Sequence, residues 1–238
     1  MIEIRHTPDQ LQHLKHAYEQ IYTEGTLEHP ASYYQWILKH LRPAEGAMLL
    51  DVCCGTGRLA DEALALGRGV NAFGADFSHV AVRQARAPMC VSDALRLPFA
   101  DGIFDCVVNL GSLEHQTDMP LGVREMARVL KPTGECCILV PNLFGLLWTI
   151  RVAKWTGELD DDKQPLQRYA TRGEWQRLIE RNGLRVHRTI GYELPPPTTP
   201  TMWWTYIRDP WMKLLPTLLW PLIPVNLASM LVFFCIKA

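Results

Sequence analysis

The stretch Leu49-Leu50-Asp51-Val52-Cys53-Cys54-Gly55-Thr56-Gly57-Arg58-Leu59-Ala60 decides the fold. Leu49, Leu50 and Val52 form the short apolar run of a strand covered on both faces. Gly55 and Gly57 supply a turn without Cβ atoms, so backbone can come close to a ligand. Helical periodicity starts at Leu59 and continues through Ala60, Ala63 and Leu64, and Gly67 is placed to end that helix. A strand, a glycine turn and a helix in this order make a site for a nucleotide-like ligand.

Two readings of the turn compete. Gly55 to Ala60 satisfies the dinucleotide pattern GxGxxA, with Asp76 nineteen residues beyond Gly57, which fits a nicotinamide oxidoreductase. Asp51 argues against it, because a carboxylate at the strand end repels a pyrophosphate and attracts an ammonium group. The stretch resembles motif I of the class I S-adenosylmethionine-dependent methyltransferases, an acidic residue followed by GxGxG. Asp51, Cys53, Gly55 and Gly57 stand at the matching positions, with Cys53 in place of the first glycine. The wording DVCCGTG is similar to the menaquinone and ubiquinone methyltransferase branch.

Working outward, 238 residues suit one large domain with a substantial core. A formal net charge of −1 gives no electrostatic case for nucleic acid. The seven cysteines include two adjacent pairs, Cys53-Cys54 and Cys136-Cys137, and show no CxxC spacing, so no metal site is expected. Their apolar settings, with no N-terminal signal peptide, point to reduced, buried thiols in a cytoplasmic protein.

Leu11, Leu14, Tyr18, Ile21 and Tyr22, then Tyr33, Trp36, Ile37 and Leu41, predict two helices within residues 1–47. In the resembled family such a cap covers the cofactor, which would bring Tyr18, Tyr22 or Tyr33 to its methionine end. Val70 to Ala75 reads as a second strand ending at Asp76, with Ser78 capping a helix from His79 to Ala87. Asp76 can accept from both ribose hydroxyls, and GADFS resembles the family's GxDxS pattern. The resemblance then gives Phe77 a stacking place on the adenine. A third strand, Met89 to Ser92, leads to SDALRLPFADGIFD. By the same resemblance, Asp93 accepts from the adenine amino group and the Ala94 amide donates to the ring. Phe104 to Leu110 has the continuous hydrophobicity of a central parallel strand, with Asn109 and Leu110 expected to face the cofactor. Asp118-Met119-Pro120 opens a helix, Lys131 to Gly134 closes it, and REMARVLKPTGECCILVPN resembles the family's post-motif, with the fifth strand at Glu135 to Val140.

Beyond Asn142, Thr171 to Glu174 is a capping box for a helix through Ile179, and Leu184 to Ile190 reads as a strand. Leu194 to Pro224 is broken by prolines and reads as an apolar insertion, a mobile lid that can touch a membrane. Leu214 to Ile236 is twenty-three residues without a charge, long enough to span a bilayer, yet its prolines and the need for a last strand favour Ala228 to Ile236 in the core. Six of eight tryptophans, Trp148, Trp155, Trp203, Trp204, Trp211 and Trp220, flank the expected substrate side, as suits an apolar pocket or a bilayer interface.

The expected fold is α/β, a Rossmann-like doubly wound seven-stranded sheet, mostly parallel with an antiparallel last strand. Its segments are a helical cap (1–47), a cofactor core (48–142), substrate-side helices with the sixth strand (143–193), the insertion (194–224) and the last strand (225–238). The expected chemistry is methyl transfer from S-adenosylmethionine to a hydrophobic small molecule or lipid-linked acceptor, with possible peripheral membrane contact. His115 is the candidate base and Glu114 its neighbour, on the loop where the family keeps one. A cofactor-binding scaffold pairing through its tryptophans is the non-enzymatic alternative.

Overall fold

The computed structural model describes residues 1–6, 11–25, 27–193, 197, 199–208 and 215–238. A seven-stranded sheet is assembled from β2 (Met48–Val52), β3 (Asn71–Asp76), β4 (Met89–Val91), β5 (Phe104–Leu110), β6 (Leu130–Pro141), β8 (Leu184–Tyr192) and β9 (Met230–Lys237). Their order is β4-β3-β2-β5-β6-β9-β8. The first five are parallel, and β9 runs antiparallel between β6 and β8.

Strand periodicity explains the continuous apolar runs. Leu50, Val107, Cys136 and Cys235 lie in register and bury one face, while Val108, Cys137 and Phe234 bury the other. The adjacent Cys136 and Cys137 therefore point to opposite layers. All seven cysteines are free, and burial pushes those two thiols well above their ordinary range. Helices α2 (Ala31–Leu41) and α3 (Arg58–Leu64) contribute to one layer, and α5 (Met119–Val129) and α7 (Arg172–Glu180) to the other. Asp118 caps α5 through Leu121 N, and Thr171 and Glu174 complete the expected capping box of α7. Trp175 on α7 is fully buried and donates from Nε1 to Pro141 O at 2.8 Å.

Three local expectations change. Helix α4 (His79–Gln84) is capped by Ser78 as read but stops before Ala87, since Pro88 disfavours helical backbone just before it. The N-terminal segment holds α1 (Leu11–Glu24) and also a strand, β1 (Ile2–Arg5), paired antiparallel with β7 (Leu166–Tyr169). The bilayer-spanning alternative gives way, because its last seven residues, Met230 to Ile236, lie in β9, bonded on both edges. Among the described residues no helix is long and apolar enough to cross a membrane. Of the insertion, α8 (Pro200–Arg208), α9 (Leu215–Leu219) and a turn at Trp220–Leu222 are seen. The lid reading at 194–196, 198 and 209–214, Trp211 included, lies outside the described residues. Trp220 packs on Trp36 and Tyr192, each at 5.4 Å between ring centroids, which anchors the insertion's end to the domain.

Candidate active site

A cavity of about 650 Å³ lies over the carboxyl ends of β2, β3, β5 and β6, where open α/β sheets bind ligands. Its floor is the turn after β2. Cys53, Gly55 and Gly57 all take positive φ, at 59°, 54° and 81°. For Cys53 the left-handed backbone costs roughly 1–2 kcal/mol, which accounts for the glycine that the resembled motif has there. Ala75 O holds the turn by accepting from Cys53 N at 2.8 Å and Cys54 N at 3.2 Å. A Cβ on Gly55 would stand 2.7 Å from the Tyr22 hydroxyl oxygen, so α1 closes over bare backbone.

Two predicted residues serve this floor from outside the cavity. Gly57 does not line it; a Cβ there would meet Met89 Cε at 1.8 Å, so this glycine lets α3 pack against β4. Asn109 is buried, does not line the cavity, and donates from Nδ2 to Val52 O at 3.1 Å. Alternation along β5 sends Leu110 to the cavity and Asn109 beneath it. Both residues therefore shape the turn from behind the cavity wall.

The remaining predicted cofactor residues, Asp51, Cys53, Gly55, Asp76, Phe77, Asp93, Ala94 and Leu110, all line the cavity. Asp76 accepts from Gly55 N through Oδ2 and from Ser78 N through Oδ1, both at 2.9 Å, with lone pairs left over. Burial raises its carboxyl while those amides oppose the rise. Asp51 has no such relief, and burial with Asp76 nearby pushes it well above the ordinary carboxylate range. A ligand cation against Asp51 would restore its charge. Asp93 accepts from Leu95 N at 2.9 Å, which fixes its carboxyl, and Tyr18 meets Phe77 edge-on at 5.3 Å. Bare backbone, two ring faces and three carboxyls fit a purine nucleoside that carries a cationic amino acid tail.

The far end of the cavity is built on the turn Leu113–His115. His115 Nδ1 bonds Leu166 O, and only an N–H can do so, which leaves Nε2 with the lone pair. Burial lowers the His115 pKa, so the neutral ring is favoured. Nε2 stands 3.9 Å from both Glu114 Oε1 and Asp162 Oδ2. Glu114 is 2% exposed, its Oε2 has no hydrogen-bond partner among the described residues, and burial pushes its carboxyl up to about 8.

Sequence reading missed what holds this turn. Arg168 on β7 donates to Gln116 O at 2.6 Å and Glu114 O at 3.3 Å, and pairs with Glu3 on β1 at 2.7 Å. Asp160, Asp162, Tyr169 and Glu193 also line the cavity. A four-residue ribbon paired across the chain leaves no periodic signal to find them.

Residues 50–138 match the methyltransferase domain family. Over those residues the chain is similar to class I methyltransferase domains. S-adenosylmethionine is the cofactor of that class. The nicotinamide alternative finds no support in this match. The chain is 41% identical over 103 residues to a demethylmenaquinone methyltransferase of Corynebacterium urealyticum, across 42% of this chain and 44% of that one. It therefore spans less than half of that relative's length. Among solved structures, the [4+2]-cyclase SpnF superposes with a TM-score of 0.65 at 17% identity, over 98% of this chain and 99% of that one. Geranyl diphosphate C-methyltransferase from Streptomyces coelicolor, solved with S-adenosyl-L-homocysteine, gives 0.60 at 15% identity, over 97% and 86%. These likenesses show the fold, and a cyclase among them shows that the fold alone does not name a reaction.

Proposed function

We propose that this protein transfers a methyl group from S-adenosylmethionine to an apolar small-molecule or lipid-linked acceptor. The observation that carries the reading is one continuous cavity joining the glycine turn and the Asp51, Asp76 and Asp93 carboxyls to a pocket walled by Leu14, Leu139, Leu147 and Met230. Similarity to a demethylmenaquinone methyltransferase supports an apolar acceptor class. Asp51 takes the ammonium group of the cofactor, Asp76 its ribose and Asp93 its adenine amino group, with Phe77 against the ring and the Ala94 amide at its edge. When bound, the cofactor supplies an electrophilic methyl on a sulfonium. The chain's own part is to exclude water, align the acceptor and remove its proton. His115 Nε2, unprotonated and turned toward Glu114, is the base in this reading.

Exposed Trp155, beside Lys154 on α6 (Thr149–Thr156), and exposed Trp204, Ile207 and Leu222 support peripheral contact with a membrane surface that delivers such an acceptor. Co-sedimentation with anionic lipid vesicles, lost in Trp155→Ala/Trp204→Ala, tests that part.

Calorimetry with S-adenosyl-L-homocysteine tests the core of the proposal. Binding should be saturable, and Asp93→Ala should weaken it roughly tenfold or more, as loss of a hydrogen bond to a charged group implies. Tight binding of NADH in place of S-adenosyl-L-homocysteine refutes the proposal. Mass spectrometry of a cell extract incubated with enzyme and deuterated-methyl cofactor then identifies the acceptor.

A further inference from the structure

The charge of the cavity wall is one-sided. Among the described residues, eight carboxyl side chains line it and no lysine or arginine does. Four have other work: Asp51, Asp76 and Asp93 are assigned to the cofactor, and Glu28 pairs with Arg58 at 3.2 Å while accepting from Thr56 at 2.6 Å. Glu114, Asp160, Asp162 and Glu193 remain at the acceptor end. Asp160 accepts from Trp148 Nε1 at 2.7 Å, Asp162 from Gln164 N at 2.9 Å, and Glu193 from Ser229 N at 2.7 Å. These partners are neutral, so nothing there offsets a carboxylate; burial keeps the Glu114 carboxyl protonated near neutral pH, and a ligand cation would draw it into its charged form, as at Asp51. Arg168 stands behind the turn with its guanidinium committed to Glu3 and two carbonyls.

A second observation is independent of this count. Glu114 Oε2 and Gln167 Oε1, buried atoms of side chains that line the cavity, have no hydrogen-bond partner among the described residues. The Gln167 carbonyl oxygen can only accept, and Glu114 Oε2 accepts once its carboxyl is ionised, so both can take a donor from a cationic ligand. Leaving such an acceptor buried and unmet is unfavourable, and a ligand donor would relieve it. Tyr18, Tyr33 and Tyr169 line the same region, and ring faces attract cations. A phosphate or carboxylate would meet repulsion here and find no donor of opposite charge among the described residues. An alcohol could donate one proton and leave the charge as it is. A primary amine, as ammonium, brings three donors and a positive charge.

Resting on the methyltransferase reading, we infer that the acceptor is an apolar amine whose nitrogen is held by Glu114 and Asp162. The nitrogen must first lose a proton, which passes to the Glu114 carboxylate or to His115 Nε2. Its freed lone pair then forms the N–C bond to the methyl carbon as the C–S bond breaks. That bond's electron pair stays on sulfur, leaving a neutral thioether and a methylated ammonium. The apolar body lies along Leu14, Leu139 and Met230.

The test uses the whole protein saturated with S-adenosyl-L-homocysteine and three probes of one length: octylamine, octanol and octanoate. Calorimetry should show octylamine binding at least tenfold tighter than octanol, and octanoate weakest. Glu114→Gln and Asp162→Asn should each weaken octylamine at least fivefold and leave octanol unchanged. Asp162 is partly exposed, so its variant keeps the test sound should the buried one misfold. Saturable S-adenosyl-L-homocysteine with equal binding of amine and alcohol, or with octanoate preferred, overturns the amine assignment alone. Failure of S-adenosyl-L-homocysteine to bind overturns the methyltransferase reading, and this inference with it.

Discussion

Replacing Glu114 by glutamine should make the protein more stable, and increasingly so as pH rises. The carboxyl is 2% exposed with Oε2 unpartnered among the described residues, and burial pushes it up to about 8 from an ordinary 4.5. The folded state therefore keeps this proton over a pH range in which the unfolded chain has released it. Below pH 4.5 both states are protonated and the group contributes nothing. Between 4.5 and about 8 stability is lost at about 1.4 kcal/mol per pH unit, which reaches ~3 kcal/mol by pH 7. Glutamine has the same shape and no titration. Urea unfolding followed by circular dichroism at several pH values should show wild type and Glu114→Gln within ~1 kcal/mol at pH 5 and separated by ~3 kcal/mol at pH 7, the variant ahead. A difference that stays constant from pH 5 to 8 would refute the reasoning, since it would mean that Glu114 ionises in the folded protein as it does in the unfolded chain. A residue that weakens the fold this much is one that a binding or catalytic duty has to justify.

Gly57→Ala should cost ~2–4 kcal/mol from left-handed backbone and the 1.8 Å approach to Met89 Cε. Met89→Ala should cost less in that background than alone, and strict additivity in urea unfolding would show that the clash is absent. Trp175→Phe should lose ~1–3 kcal/mol by leaving Pro141 O without its donor, with S-adenosyl-L-homocysteine affinity unchanged by calorimetry. Truncation before Ala228 removes a strand bonded on both edges and should leave insoluble protein; a soluble product with a cooperative thermal transition would contradict the assignment of β9.

What could be read in advance follows how locally each part is encoded. The cofactor half is written in one run from Leu49 to Leu110, where each strand is followed by its own turn and the residues that face the ligand sit at strand ends. Continuous apolar runs revealed the central strands because consecutive residues there feed opposite layers, as Val107 and Val108 do. Residue type was readable at Asn109 and Gly57, but direction was not. Direction depends on strand phase and on what packs behind, and both residues turned out to face away from the cavity.

The far end of the cavity, assigned to the acceptor in the proposed function, has no comparable run. Its wall combines Tyr18 from α1, Glu114 and His115 from a short turn, Asp160 and Asp162 from a loop, Tyr169 from β7 and Glu193 after β8. Arg168 reaches Glu3 across 165 residues to hold it. Chemistry divided among so many elements leaves no pattern within any one of them, and the family match ends at residue 138, before most of them begin. In the proposed function, the part of the molecule that would distinguish one methyl acceptor from another is therefore the part that a motif does not reach. Its preference has to be argued from wall charge and unmet hydrogen-bond acceptors, both of which exist only once the chain is folded.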